Sequence, residues 1–297
     1  MYGYIPDIES PEDRVFGSNL TEILQPNMDW TEYLPVYEPQ SNDLFDTYGC
    51  VTFSAWNTIE IYAKRKYGLT WNKADRFTII DSGTVPGVGN SARKVLYSIR
   101  HNGCPDEEKW PFVSTEKEYY KPIPQNIKDD AIKLLDIAEF EYQILGGSPS
   151  SESLCEALKY APCHVSGHAW DNPINGVYQR SEGMINHMFV LYKADPLKKL
   201  FYVYDQYHND FKTLSWDYNF GWAQQNTFKL KNMAFRTIKG TVKSEVYALI
   251  QDKLYQIGSF GSYKKGLEIG MFQPLETLPQ QEVDSIEHSP NSIIFSL

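Results

Sequence analysis

Gly49-Cys50-Val51-Thr52-Phe53-Ser54-Ala55-Trp56 is the stretch from which the rest of the chain can be read. Phe53, Trp56, Ile59 and Tyr62 recur every three positions, Glu60, Lys64 and Lys66 fall off that stripe, and Gly68 follows. This spacing predicts an amphipathic helix over 51–66 with Cys50 directly before it. Unpaired N–H groups and the helix dipole favour an anion at that end, so a thiol there gains thiolate character. Gly49, without a side chain, leaves the approach to the sulfur open. By position alone a buried, inert cysteine fits equally well.

Upstream, 1–28 is irregular and punctuated by Pro6, Pro11, Gly17 and Pro26, which predicts an arm over a domain surface or a partly ordered tail. Downstream, helices are expected over 91–100 and 152–160, the second with Ser150 and Ser151 as candidate caps, and 77–80 reads as strand-like. After Pro162 the pattern changes to strands at 163–170, 187–194, 200–205 and 227–230, rich in Val, Tyr and Phe. Helices first and sheet second predict an α+β protein, a helical lobe packed against an antiparallel sheet lobe.

The strands at 187–194 and 200–205 are joined by Asp195-Pro196-Leu197-Lys198-Lys199, a length suited to a hairpin. With Ala194 opposite Leu200, His187 falls opposite Tyr207 and Asp205 becomes its diagonal neighbour on the same face. A carboxylate beside an imidazole fixes its tautomer and stabilises the imidazolium. Cys50, His187 and Asp205 are therefore candidate nucleophile, general base and acid, and orienting residue. The plainer alternative is a hairpin-end histidine and a turn aspartate.

The 297 residues suffice for one large core or two modest ones. The net charge of -10 comes from scattered Asp and Glu, and no basic run interleaves with the aromatics, so nucleic acid is a poor partner. The first thirteen residues are polar and acidic, unlike a signal peptide, and no stretch is long enough to span a bilayer. The expectation is an intracellular or virion-associated protein without a membrane partner. Cys50, Cys104, Cys155 and Cys163 lack Cys-x-x-Cys spacing and read as thiols.

Two other signals fail in their contexts. Gly87-Val88-Gly89-Asn90-Ser91-Ala92 fits Gly-x-Gly-x-x-Ala, but the turn His101-Asn102-Gly103-Cys104-Pro105-Asp106 follows where an apolar strand ending in an acid is required. On a strand His164 and His168 stand about 13 Å apart, too far to share an ion. Neither signal calls for a nucleotide, a cofactor or a metal.

Asp29-Trp30, Pro35-Val36, Gln40 and Cys50-Val51-Thr52-Phe53-Ser54-Ala55 together resemble the start of the papain family of cysteine peptidases. There Asp-Trp, Pro-Val and an oxyanion-hole glutamine precede Cys-Trp-Ala-Phe-Ser. Residues 83–90 resemble that family's glycine-rich cleft wall, 103–112 the segment before its domain crossover, Asn186-His187 its histidine strand, and Tyr204-Asp205-Gln206-Tyr207 its Lys-Asn-Ser-Trp. The resemblance covers about 28–230 and is nearest the shorter members encoded by bacteria and their phages.

This resemblance implies a papain-like two-lobe fold and a peptide or protein substrate attacked by Cys50. It also implies an oxyanion held by the Cys50 amide and Gln40, with substrate bound along Gly87, Gly89 and Asn186. One oxyanion donor is worth about 2.7 to 4 kcal/mol. Four residues more than in the family separate Gln40 from Cys50, which brings in Asn42 as an alternative. Asp205 stands where most members have Asn, and Thr47 where they have a disulfide-forming Cys.

The expected organisation is an arm at 1–28, a catalytic domain at 29–235 and a small β-rich module at 236–297, with a hairpin turn at Gln251-Asp252. That module is expected to anchor the enzyme, through a docking partner or a second copy, and a chain ending near Phe235 to keep activity. Transglutaminases and peptidoglycan endopeptidases share the order Cys, His, Asp, and a non-catalytic papain-like scaffold is the non-enzyme alternative.

Overall fold

The structure is a computed structural model that describes residues 3–8, 10–11, 13–18, 22–207, 211–231, 235–250, 253–268, 271–273 and 275–293. The turn expected at Gln251-Asp252 lies outside these residues. Helices lead: α1 (Cys50–Tyr67), α2 (Asp75–Asp81), α3 (Ala92–Asn102), and the shorter α4 (Glu116–Tyr119), α5 (Gln125–Ile132) and α6 (Leu134–Ile137). Next come β1 (Ala138–Gly147), α7 (Ser151–Leu158), β2 (Cys163–Gly167), β3 (Val177–Tyr178), β4 (His187–Asp195), β5 (Leu200–Tyr204), β6 (Phe211–Ser215) and β7 (Trp222–Leu230). These strands form one sheet in the order β1-β7-β2-β4-β5-β6-β3. The expected α+β arrangement of a helical lobe on a sheet lobe is present. All its pairs are antiparallel except β3 and β6 at the edge, which run parallel.

Helix α1 lies between the lobes and packs on β4 and β7. Its stripe is wider than the sequence implied: from Cys50 to Ala63 all but Asn57 are buried, including Glu60, whose carboxylate accepts the Lys73 N–H at 2.9 Å. A helix covered on both sides by lobes has no solvent face to keep polar. Helices α3 and α7 start where expected, with Ser91 and Ser150 accepting the Lys94 and Ser153 N–H groups. The strand-like 77–80 belongs instead to α2, where Phe77 and Ile79 are buried. Short apolar runs do not distinguish the two states. With a helix before Gly87, the dinucleotide fingerprint also lacks its first strand.

Past Phe235 a second sheet, β11-β8-β9-β10-β12, is built from β8 (Arg236–Gly240), β9 (Val246–Ile250), β10 (Lys253–Ile257), β11 (Glu276–Leu278) and β12 (Glu287–Ile293), with α8 (Phe260–Glu268) and α9 (Gln280–Ser285). Its apolar side chains do not form a wholly separate core. Ile250, Tyr255, Ile257, Phe272 and Ile293 join the cluster that contains Trp56, Leu69, Trp71 and Phe228, and Ile293 bridges Leu69. Among the described residues no helix is long and apolar enough to cross a membrane.

Candidate active site

The β4–β5 hairpin places the histidine and the aspartate. At the turn the pairing is Asp195 with Leu200 and Ala194 with Phe201, one residue away from the expected register. A bulge between Leu191 and Lys193 then restores that register, so Val190 pairs with Tyr204 and the line of pairs extends toward His187 and Tyr207. Asp205 follows the last residue of β5. Its Oδ1 lies 2.7 Å from His187 Nε2, and both side chains are fully buried.

The remaining capacity of Asp205 is filled by groups that the sequence reading missed. Oδ2 accepts from Lys212 Nζ and from Trp170 Nε1, each at 2.8 Å, and Oδ1 also takes the Tyr207 N–H at 3.3 Å. Burial disfavours the Asp205 carboxylate, but His187 and Lys212 more than offset it and hold its pKa below the ordinary value. Trp170 and Tyr207 stand edge-on to the His187 ring at 6.1 and 6.0 Å between centroids. Lys212 had one legible signal: in Phe211-Lys212-Thr213-Leu214 it shares the inward positions with Leu214.

Cys50 is the first residue of α1 and is fully buried. It lies close enough to the His187 ring for the two charges to interact. Burial alone would lower the His187 pKa, yet Asp205 and then Cys50 outweigh it and raise it to about 10. This is the direction expected from an aspartate in the orienting position. Gly49 also packs closely: a Cβ there would lie 2.3 Å from Ile79 Cδ1 and 2.9 Å from Thr47 Oγ1, so a side chain would have to displace these neighbours.

Gln40 is brought against Thr47, three residues before Cys50, despite the longer intervening chain. Residues 41–46 form a closed excursion pinched by the Ser41–Asp46 bridge, and the Gln40 carbonyl accepts from Thr47 N at 3.1 Å and Thr47 Oγ1 at 2.8 Å. Its N–H donates to the Gln206 carbonyl at 3.0 Å, next to Asp205. The buried side-chain amide donates to Asp46 Oδ1 at 3.0 Å, while Oε1 has no protein partner. Asn42 is turned to other work: its Oδ1 accepts from Leu44 and Phe45 N–H, and Nδ2 donates to Ser114 O.

Gly87 and Gly89 lie in the turn before α3, both with positive φ, and Asn186 immediately precedes β4. His164 and His168 do not converge. His164 is buried behind α1, bonded to Ser54 Oγ at 2.8 Å, and burial lowers its pKa to about 3, whereas His168 faces Met184 O and Asp171.

No protein-family description and no curated protein sequence matches this chain. Solved structures do. Xylellain, a cysteine protease from Xylella fastidiosa, superposes with a TM-score of 0.53 at 13% identity over 76% of this chain and 95% of that one. The ragweed pollen cysteine protease Amb a 11 in its proform gives 0.51 at 16% identity, over 71% of this chain and 68% of its own. A structure from work on the mite allergens Blo t 1 and Der p 1 gives 0.52 at 12% identity, over 72% and 74%. The chain has the papain-like cysteine peptidase fold.

Proposed function

We propose that this chain, which has the papain-like fold, is a cysteine peptidase. The observation that carries the reading is the buried His187–Asp205 contact of 2.7 Å, on a ring close enough to Cys50 at the N-terminus of α1 for their charges to interact. Cys50 attacks the carbonyl of a peptide bond after His187 has taken the thiol proton, and the same proton then goes to the leaving amine. Water attacks the resulting thioester and regenerates the thiol. Asp205 holds the ring and stabilises its charged form. The Cys50 N–H and the Gln40 amide are the groups assigned to the oxyanion. Gly87, Gly89 and Asn186 are assigned to the substrate backbone.

A panel of peptide substrates, assayed with and without an added primary amine and beside intact peptidoglycan, tests this reading. Peptide hydrolysis abolished by Cys50→Ala is the expected result. Amine incorporation in place of hydrolysis would make the chain an acyltransferase, and release confined to peptidoglycan would make it a cell-wall endopeptidase. Loss of all three activities in a Cys50-reactive protein would leave a scaffold.

A further inference from the structure

An amide at position 205 could orient the His187 ring without adding charge to a buried site. The carboxylate of Asp205 does add charge, and β6 supplies the answer. Lys212 pairs with Val203 on β5, two residues before Asp205. Its ammonium donates to Asp205 Oδ2 at 2.8 Å and to the Tyr207 carbonyl at 3.0 Å, and it lies 5.1 Å from the centre of the Trp170 ring. Trp170 Nε1 donates to the same Oδ2 at 2.8 Å. The ammonium is thus fixed by a carboxylate, a carbonyl and a ring face, and only 4% of Lys212 is exposed. Replacing such a buried pair by apolar side chains of similar volume is often neutral or stabilising, so stability alone does not account for it.

Lys212 also settles the charge of the site. A Cys50 thiolate and a His187 imidazolium cancel, Asp205 adds one negative charge, and Lys212 returns the sum to zero among four buried side chains. The other groups facing the ring or its partners add no charge near neutral pH. Trp170 and Tyr207 present ring edges to His187, burial raises the Tyr178 and Tyr218 phenols, which also feel Asp205, and it pushes Tyr4, near Cys50, up to about 12. Asp205 draws a proton onto His187, since an opposite charge at this range shifts a pKa by about 1 to 3 units. Lys212 opposes that pull in two ways. It shares the carboxylate, holding Oδ2 while His187 has Oδ1, and its own positive charge disfavours a second one on the ring. An aspartate alone would lock the proton on His187, and a lysine alone would keep it off.

We propose that Lys212 is a positioning residue that acts through Asp205, matching the charge of the carboxylate so that His187 can both take the Cys50 proton and release it to the leaving amine. The effect on turnover rests on the peptidase reading; the effect on His187 does not. The test is the NMR titration of the His187 ring, one of six histidines, in the parent, in Asp205→Asn and in Asp205→Asn with Lys212→Met. Asp205→Asn leaves Lys212 facing the ring alone, so the His187 pKa should fall from about 10 by roughly 2 pH units or more. Adding Lys212→Met should return about 1 pH unit or more, tenfold in proton affinity. Coincident titrations of the single and double variants would overturn the proposal, because a lysine that only fills space cannot separate them.

Should Asp205→Asn fail to fold, Lys212→Met and Lys212→Arg decide with Asp205 in place. The ring in Lys212→Met should titrate about 1 pH unit or more above the parent, while Lys212→Arg, which keeps the charge, should follow the parent. Equal titration in these two variants refutes the role. Where peptides are hydrolysed, the alkaline limb of kcat/KM should move with the ring. The expected titrations in a protein that cleaves no peptide keep the role of Lys212 and remove the peptidase. Peptide cleavage with coincident titrations does the reverse.

Discussion

Replacing Asp205 by Asn is the most informative single change, because the sequence and the structure expect different outcomes from it. By family resemblance Asn is the milder substitution, restoring the usual orienting residue. In this fold the carboxylate also faces Lys212 Nζ at 2.8 Å, with both side chains buried. An amide there leaves the ammonium without a counter-charge, and breaking a buried pair by removing one partner costs about 3 to 5 kcal/mol. At roughly 2 to 4 °C per kcal/mol for a domain of this size, melting should fall by about 6 to 20 °C. Lys212→Met added to Asp205→Asn removes the orphaned charge and should recover most of the loss.

The pH dependence of this substitution separates its two components. The His187 pKa is raised in the fold, so its contribution is complete below the unfolded value near 6.5 and is lost as pH rises toward about 10. The penalty of Asp205→Asn should therefore shrink across that window, leaving the part that belongs to Lys212. Thermal unfolding followed by circular dichroism at pH 6, 8 and 10 measures both parts. A single variant melting within 2 °C of the parent, or a double variant no better than the single, would refute the reasoning.

Asp205→Ala should lower kcat far more than it raises KM, since orienting the base matters mainly in the transition state; a selective rise in KM would count against that role. Iodoacetamide should label Cys50 ahead of the other thiols, read by peptide mapping, because burial pushes Cys104 and Cys163 well up and Cys155 to about 11. Burial raises the Glu107 pKa to about 8, so the folded state keeps a proton that the unfolded chain loses near 4.5, and stability drains between those values. Glu107→Gln, which retains an acceptor for the Phe112 N–H, should melt higher than the parent at pH 8.5 and differ little at pH 4. A chain ending near Phe235 loses Tyr255, Ile257, Phe272 and Ile293 from the shared core, so insoluble or unfolded product is now the expected outcome; a soluble, active fragment would favour the anchoring role.

Some elements were legible and some were not, for identifiable reasons. The helix after Cys50, the cap Ser150, the strand carrying His187 and the strand that ends next to Asp205 follow from local periodicity and cap chemistry. Strand β1 was equally readable, since Ala138, Phe140 and Ile144 alternate with Glu139, Glu141 and Gln143, but its partner β7 lies far along the chain. The hairpin register came out right at its catalytic end only because a bulge compensated for the turn. Local reading failed at α2, where the short run Phe77-Thr78-Ile79-Ile80 fits either a strand or a buried helix turn.

The sequence by itself determined the lobes, the order of Cys50, His187 and Asp205, and the face on which the last two meet, because these depend on periods of two and 3.6 residues along one chain. Only the tertiary structure decided what surrounds them. Lys212 and Trp170 close on Asp205, the excursion at 41–46 returns Gln40 to Thr47, and Tyr4 is buried in the main core although 1–28 reads as an arm over the surface or a partly ordered tail. Such contacts join residues far apart in sequence, and their energy comes from burying charge and aromatic surface together. No local pattern records that, because burial belongs to the packed whole.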